Sequence, residues 1–249
     1  MAEHKKTRFS VVTATYNAAA VLPRLIMSLK AQTDQDFEWV VADGASADGT
    51  LAMLEEAGKT LSIRVDSRPD FGIYDALNRA VKLATGDYYL VVGADDELFP
   101  DAVKNYKNAC DITDADMVTA LIEVNGRVGG VRSRQWEWLY GQFAHVSGHA
   151  VGLAIRRSLH DRFGWYSRKL PIAADQLFIL KAVHGGSEIS RQDFLAGKFR
   201  TEGTSGNDTV GTLVEGFRSQ VLVGHNVWLQ LLILCLRLFK NRRFLGSKG

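Results

Sequence analysis

The first hundred residues alternate between short β-branched or aromatic runs and segments whose apolar residues recur every three or four positions. Residues 9–14 predict a strand. After a turn at Thr15, Tyr16 and Asn17, the positions Val21, Leu22, Leu25, Ile26 and Leu29 fall on one helical face. Residues 37–42 predict a second strand, about 50–57 a helix, and 62–65 a short third strand. A helix follows with Ile73, Leu77, Ala80, Val81 and Ala84 turned inward, stopped by Thr85 and Gly86. It leads into an unbroken run from Tyr88 to Val92, closed by Gly93. Strands alternating with helices in this way predict a parallel, doubly wound α/β sheet with right-handed crossovers.

Beyond Pro100 the periodicity loosens. Residues 102–109 predict a helix, and 116–124 a strand running to Asn125 and Gly126, a strong hairpin-turn pair. Residues 130–150 are rich in Trp, Tyr, His and Gly without a period, 173–183 predict another helix, and 201–209 are expected to form a mobile loop. The stretch 227–239 is mostly apolar, but Gln230 and Arg237 interrupt it, and the unbroken part falls short of the ~20 residues a spanning helix needs. Trp, Leu and Phe beside Lys240, Arg242 and Arg243 suit a helix lying in a membrane interface; packing on a partner subunit or on the core is the competing reading.

Composition changes little in this picture. With 249 residues and 46% hydrophobic content, the chain can bury one large core or two lobes sharing a sheet. A net charge of +2 carries no nucleic-acid signature, although Lys5, Lys6 and Arg8 cluster at the front and Arg237, Lys240, Arg242, Arg243 and Lys248 at the back. Cys110 and Cys235 lie far apart and outside any C-x-x-C pair, compatible with a reducing cytosol. No apolar signal region precedes the first strand, so export by a cleaved signal peptide is not expected.

Candidate chemistry sits where the strands end. The Tyr88–Val92 run stops at Asp95, Asp96 and Glu97, and ligands of open α/β sheets bind just past the carboxyl ends of strands. Such a cluster is either a solvated acidic turn or is neutralised by a partner, for which a hard divalent cation is the obvious candidate. Two adjacent Asp residues can serve one ligand only where the chain leaves the sheet, and Asp96, as the outer one, is expected to be the better metal ligand. The segment 43–50 ends a strand and opens a helix with small residues, so that Asp43 could accept a hydrogen bond from a base or ribose; a plain corner capped by Ser46 or Asp48 is the alternative. No G-x-G-x-x-G follows the first strand and no G-x-x-x-x-G-K-[ST] occurs, so a bound diphosphate would need a metal as its counter-charge. Asp175 stands at the start of an apolar helix, as a general base or merely as a helix-terminal charge. His145 and His149 have the four-residue spacing of a zinc pair, but Gly148 between them and the lack of H-E-x-x-H argue against zinc. Trp136 and Trp138 read equally as sugar-stacking or as core residues, and Arg200 with the 202–206 loop as a closing element or a plain surface loop.

Residues 11–17, 43–50 and 86–96 together resemble the family-2 glycosyltransferases of GT-A fold. Residues 68–80 are similar to the bacterial branch that assembles exopolysaccharide, capsule or O-antigen units, colanic-acid-type enzymes included. The resemblance runs from residue 8 to about 205. It implies an α/β GT-A fold (Rossmann-like, doubly wound, mostly parallel) with a C-terminal helical tail: residues 1–97 as the nucleotide-sugar half, 98–205 as the acceptor half, and 206–249 as loop and membrane-associating helix. It implies an inverting, metal-dependent transfer from a nucleotide-diphosphate sugar, foremost a UDP-sugar, to a polysaccharide or polyprenyl-diphosphate-linked acceptor. Mn²⁺ or Mg²⁺ would be the ion, at the cytoplasmic face of the cell membrane, with no nucleic-acid partner. By resemblance Asp43 contacts the base, Asp95 the ribose or donor sugar, Asp96 the metal, and Asp175 is the base. Thr13, Thr15, Tyr16, Asn17, Ser46, Asp70, Gly72, Tyr74 and Asn78 join the substrate-binding set, and His149 lines the acceptor or diphosphate side. Asp95-Asp96 is a variant of the family's D-x-D, with Ala94 at its first position. Two other classes stand beside this one. A sugar nucleotidyltransferase is disfavoured by the lack of a Gly-rich, basic triphosphate loop, and a non-catalytic nucleotide-sugar-binding or scaffold subunit is the other.

Overall fold

Val11 and Val12 of the first strand, β1 (Phe9–Thr15), are both fully buried, one in each of two hydrophobic clusters, as befits a strand sandwiched between helical layers. The computed structural model describes residues 7–200 and 208–242. From β1 the chain passes through α1 (Leu22–Lys30), β2 (Glu38–Asp43), α2 (Thr50–Ala57), β3 (Ile63–Ser67) and α3 (Ile73–Leu83) to β4 (Tyr88–Val91). Strands β1 to β4 pair in parallel in the order β3-β2-β1-β4. Leu22, Leu25, Leu29 and Leu54 cover one face, while Leu77, Ala80 and Val81 of α3 cover the other. The strand order therefore reverses between β1 and β4, the crevice where such sheets place ligands. Register aligns Thr15 with Asp43 and Asp43 with Ser67, so three polar side chains end up in one row at the carboxyl edge.

The second half continues with β5 (Glu97–Leu98), α4 (Ala102–Thr113), β6 (Met117–Val124), β7 (Arg127–Gly129), α5 (Glu137–Tyr140), β8 (Leu153–Arg156), α6 (Leu159–Phe163), α7 (Ala174–His184) and β9 (Ile189–Phe199). The sheet extends through β8, β6, β9 and β5, and pairing here is mixed: β9 runs parallel to β6, whereas β8 is antiparallel to both β4 and β6. The expected hairpin forms, with Asn125 at φ 51° and Gly126 at φ 73° joining β6 to β7. Strands β8 and β9 and helix α6 carry no readable period. β8 is four residues long after a Gly-rich stretch, and the β6–β9 ladder has irregular register around Leu121. Ile73, expected inward, is instead exposed at the start of α3, where Asp75, Asn78 and Arg79 are buried in tertiary polar contacts.

Two helices complete the described chain, α8 (Thr209–Leu222) and α9 (Val227–Lys240). Residues 201–207, the core of the expected loop, and Arg243 and Lys248 of the basic tail lie outside the described residues. Helix α9 turns its polar residues inward. Gln230 Nε2 donates to the Trp138 carbonyl at 2.8 Å, the Arg237 guanidinium to the Leu139 carbonyl, and Gln220 of α8 to the Glu137 carbonyl at 3.0 Å. The Trp138 and Leu139 carbonyls are ones that a four-residue helix such as α5 cannot satisfy itself, while the Glu137 carbonyl also accepts from Gly141 N. The residues that interrupt the apolar stretch are thus its docking face, and Trp228, Leu232, Leu236 and Phe239 remain more than half exposed on the other side. No helix among the described residues is long and apolar enough to cross a membrane.

Helix α8 also holds α7. The buried Glu215 carboxylate accepts the N–H groups of Ile172 and Ala173 at 2.9 and 2.8 Å, and α7 has no side-chain cap of its own. Leaving such donors unsatisfied costs about 1–3 kcal/mol. Glu215→Ala is therefore expected to lower the unfolding free energy by about 2 kcal/mol in urea titrations. An unchanged midpoint would show that the tail does not cap α7.

Candidate active site

The row of polar residues at the ends of β1, β2 and β3 converges on Asp43. Its carboxylate accepts from Thr15 Oγ1 (2.9 Å), Ser46 N (2.8 Å), Ser46 Oγ (2.5 Å) and Ser67 Oγ (2.8 Å). Burial works to raise its pKa, but these four hydrogen bonds outweigh it and hold the carboxyl below its usual range. Asp43 is fully buried and its acceptor sites are filled. In this arrangement Asp43 braces the shelf around it. Asn17, at φ 47°, clips onto that shelf by accepting from Ala47 N and donating its own N–H to Ser46 Oγ. Ser46 is thus spent on Asp43 and Asn17 and does not cap α2. On the outer side lie Tyr16, 68% exposed, and Asp70. A Cβ at Gly44 would come within 2.9 Å of Asp70 Oδ2 and 3.1 Å of the Tyr16 ring, so glycine is what lets both close over the backbone. Asp70 accepts from Gly72 N at 2.9 Å, with Gly72 at φ 105°, and pairs with the buried Arg79 at 3.4 Å.

Past β4 the chain turns at Gly93, where a Cβ would meet Asp96 Oδ2 at 2.8 Å and Asp95 Oδ1 at 3.0 Å. The order of the two carboxylates is the reverse of that expected. Asp96 is the inner one, 1% exposed, accepting from Gly93 N and Arg200 N at 2.9 Å each, and Asp95 takes the outer position. The reason is the turn itself: Asp96 N bonds back to Gly93 O at 3.1 Å, folding the Asp96 side chain under the loop. Burial raises the Asp96 carboxyl to about 7, the neighbouring Asp95 charge adds to this, and the two backbone N–H bonds oppose it. Two close oxygen donors, one desolvated, are a set that suits a hard cation such as Mg²⁺ or Mn²⁺. Arg200 adds an ion pair to Glu97 at 2.6 Å.

Asp95, Asp96, Tyr74, His149 and Asp175 all line one cavity of about 450 Å³, floored by Val91, Val92 and Ile122. Asp175 enters it from the first turn of α7 and does not cap that helix. The Tyr74 hydroxyl donates toward Asp175 Oδ1 at 2.6 Å and also lies 2.9 Å from the Ile172 carbonyl. On the other side, His149 Nδ1 is 3.8 Å from Asp175 Oδ2, and Gln142 Nε2 donates to the same oxygen at 3.5 Å. Behind His149 runs a buried chain: His149 Nε2 to Tyr166 OH at 2.8 Å, Tyr166 OH to Tyr89 OH at 2.6 Å, Tyr89 OH to His160 Nε2 at 2.7 Å, and His160 Nδ1 to the Gly164 carbonyl at 3.0 Å. The carbonyl can only accept, so His160 Nδ1 carries the proton and each link must donate towards His160. A neutral His149 consequently donates through Nε2 and turns an unprotonated Nδ1 to Asp175. Burial keeps both rings neutral by lowering their pKa values, that of His160 to about 4.

His160 therefore binds its proton less readily folded than unfolded, where its value is near 6.5. Its contribution to stability is complete above that value and is lost as pH falls towards the folded pKa, about 3 kcal/mol by roughly pH 4. Melting curves between about pH 7 and pH 4 should show a shallower loss for His160→Phe than for the wild type. Equal slopes would contradict the neutral, buried ring.

Several expected site residues are placed elsewhere. Thr13 is buried behind the sheet, accepting from Trp39 Nε1 at 3.0 Å. Asn78 spends both ends of its amide on the backbone of Tyr166, at 2.9 and 3.0 Å, and is structural. Trp136 and Trp138 pack against each other at 5.5 Å and neither lines the cavity. His145 and His149 do not share a helical face: the short turn 141–144 ends before them, and His145 binds Glu137 instead. Gln142, Tyr166, Ser67 and Arg79, which the sequence did not single out for the site, support it, and only the position of Arg79 beside Asn78 in the helix hinted at this. Residues 202–206 lie outside the described residues.

The family model described as Glycosyl transferase family 2 matches residues 10–170. The PGL/p-HBAD biosynthesis glycosyltransferase of Mycobacterium tuberculosis is 46% identical over 194 residues, covering 74% of this chain and 72% of that protein. The crystal structure of residues 1–349 of Staphylococcus aureus TarS in complex with UDP matches with a TM-score of 0.69 at 25% identity, over 96% of this chain and 72% of that one. The mannosyltransferase PcManGT of Pyrobaculum calidifontis, in complex with GDP-Man and Mn²⁺, matches with a TM-score of 0.67 over 98% of this chain and 77% of that one; at 18% identity this is a likeness of fold.

Proposed function

This chain belongs to glycosyl transferase family 2 and is a glycosyltransferase of GT-A fold, and we propose that it transfers a sugar from a UDP-sugar to a saccharide hydroxyl with inversion, assisted by Mn²⁺ or Mg²⁺. The observation that carries this is one cavity with carboxylates on opposing elements, Asp95 and Asp96 beyond β4 and Asp175 on α7. A single displacement needs that division of labour, one acidic pair at the leaving group and one base at the attacking hydroxyl. The UDP bound to the related TarS structure favours uridine as the nucleotide. The nucleoside rests on the shelf of Tyr16 and Asp70, with Asp43 as its brace. That shelf continues into the cavity through Ala14 on one side and Ile73 and Tyr74 on the other.

Asp96 and Asp95 would hold the divalent ion, which when bound offsets the charge developing on the departing diphosphate. Arg200 is held beside them by its ion pair with Glu97. Asp175 is oriented by Tyr74 and takes the proton of the acceptor hydroxyl. The acceptor enters between Phe143, Gln176 and Phe199, which line the same cavity. Release of UDP from a panel of UDP-sugars, with and without EDTA and saccharide or lipid-linked acceptors, tests the proposal. Metal-dependent, acceptor-stimulated release is expected. Donor binding without turnover would leave a non-catalytic subunit, and nucleotidyl exchange with pyrophosphate would leave a nucleotidyltransferase.

The acceptor is proposed to be membrane-bound, because α9 offers an apolar outer face flanked by Lys240 and Arg242. The protein should co-float with vesicles containing anionic lipid, and a Trp228→Ser, Leu232→Ser, Phe239→Ser variant should not. Equal flotation of the two would count against this location at the inner face of the cytoplasmic membrane.

A further inference from the structure

Away from the cavity, three histidines close on one glutamate. Glu137 Oε1 lies 2.7 Å from His184 Nε2 and 2.8 Å from His225 Nε2, and Glu137 Oε2 lies 2.5 Å from His145 Nε2. Single ligand atoms from Glu137, His184 and His225 all fall within 4.8 Å of one another. The three come from α5, the last turn of α7 and the α8–α9 link, so nothing local forces them together. Two imidazoles aimed at the same carboxylate oxygen is more than one structural hydrogen bond needs, and their nitrogens meet where a small cation would sit. The His145 Nδ1 is buried without a partner, so that ring serves Glu137 alone, holding the carboxylate so that Oε1 faces the other pair.

We propose that Glu137, His184 and His225 form a site for a zinc-type transition-metal cation that ties the C-terminal helix pair to the rest of the molecule. Two imidazoles and one carboxylate suit Zn²⁺ better than Mg²⁺ or Mn²⁺, which favour oxygen donors, so the site is chemically separate from Asp95 and Asp96. His184 is the most exposed of the three, with 37% of its side chain accessible, and leaves water the fourth position. His145 acts from behind by orienting the carboxylate. The link it would strengthen is the one already made by Gln220, Gln230 and Arg237 to the α5 carbonyls.

The test uses the full chain without a histidine tag, stripped with EDTA and titrated with Zn²⁺ against a chromophoric chelator, with a melting curve at each stage. About one zinc per chain and a higher melting temperature are expected, with His145→Ala weakening affinity about 10–100-fold. His225→Gln keeps a donor for Glu137, so it should melt like the metal-free wild type yet lose the zinc-induced shift. Asp96→Ala should keep the zinc. Wild-type protein that binds no more zinc than a His184→Ala, His225→Ala variant, or zinc lost in Asp96→Ala, would overturn the proposal. Either failure leaves the transferase assignment untouched, since no step of transfer uses these residues.

Discussion

Asp96→Ala is expected to lower sugar transfer by about 10³-fold or more and to abolish the dependence of UDP binding on Mn²⁺. The expectation follows from how little the described residues offer as an alternative at the diphosphate position. The sequence has no P-loop and no Gly-rich dinucleotide turn, and among the described residues the cavity lining contributes one guanidinium, Arg200, already paired with Glu97, and no lysine. Removing the carboxylate also leaves the N–H groups of Gly93 and Arg200 without their acceptor, a loss of about 1–3 kcal/mol in stability. A melting curve therefore accompanies the kinetics. A folded Asp96→Ala protein that still shows Mn²⁺-enhanced UDP binding would assign the ion elsewhere.

Asp175→Asn is the second large effect, a fall in kcat of about 10²–10⁴-fold with little change in UDP affinity, the usual contribution of a positioned base. The amide keeps an oxygen for the Tyr74 hydroxyl, and α7 does not depend on Asp175 for its cap because Glu215 provides it. Loss of folding is thus not the expected outcome, and the kinetic split between kcat and donor binding is informative. A variant within about threefold of wild-type kcat would remove Asp175 from proton transfer.

How much of this was legible in the chain differs by region for physical reasons. The central strands β1, β2 and β4 are buried on both faces, so their apolar runs are continuous, and α1 and α3 show a helical period because each covers one face of the sheet. Register placed Asp43 at the carboxyl edge, and the turn past β4 carries Asp95. What local pattern could not supply were contacts between distant segments. Asn78 reads as a site residue until it is seen clamping Tyr166, 88 positions away. Gln230 and Arg237 read as flaws in an apolar helix until α5 is found to need their hydrogen bonds. The inner position of Asp96 depends on a turn bond back to Gly93 and on the amide of Arg200, 104 residues on. The mixed strands β8 and β9 escaped notice because a short strand and an irregular ladder leave no period of two.

The proposed transfer turns on a divalent cation at the end of β4 that holds the donor diphosphate. Crystals of the protein grown with UDP and Mn²⁺, with anomalous diffraction collected for manganese, test it most directly. One manganese peak about 2.0–2.5 Å from a carboxylate oxygen of Asp96 or Asp95, beside the UDP phosphates, is the expected result. UDP bound with no manganese at these residues, or with the peak on a different group of ligands, would contradict it.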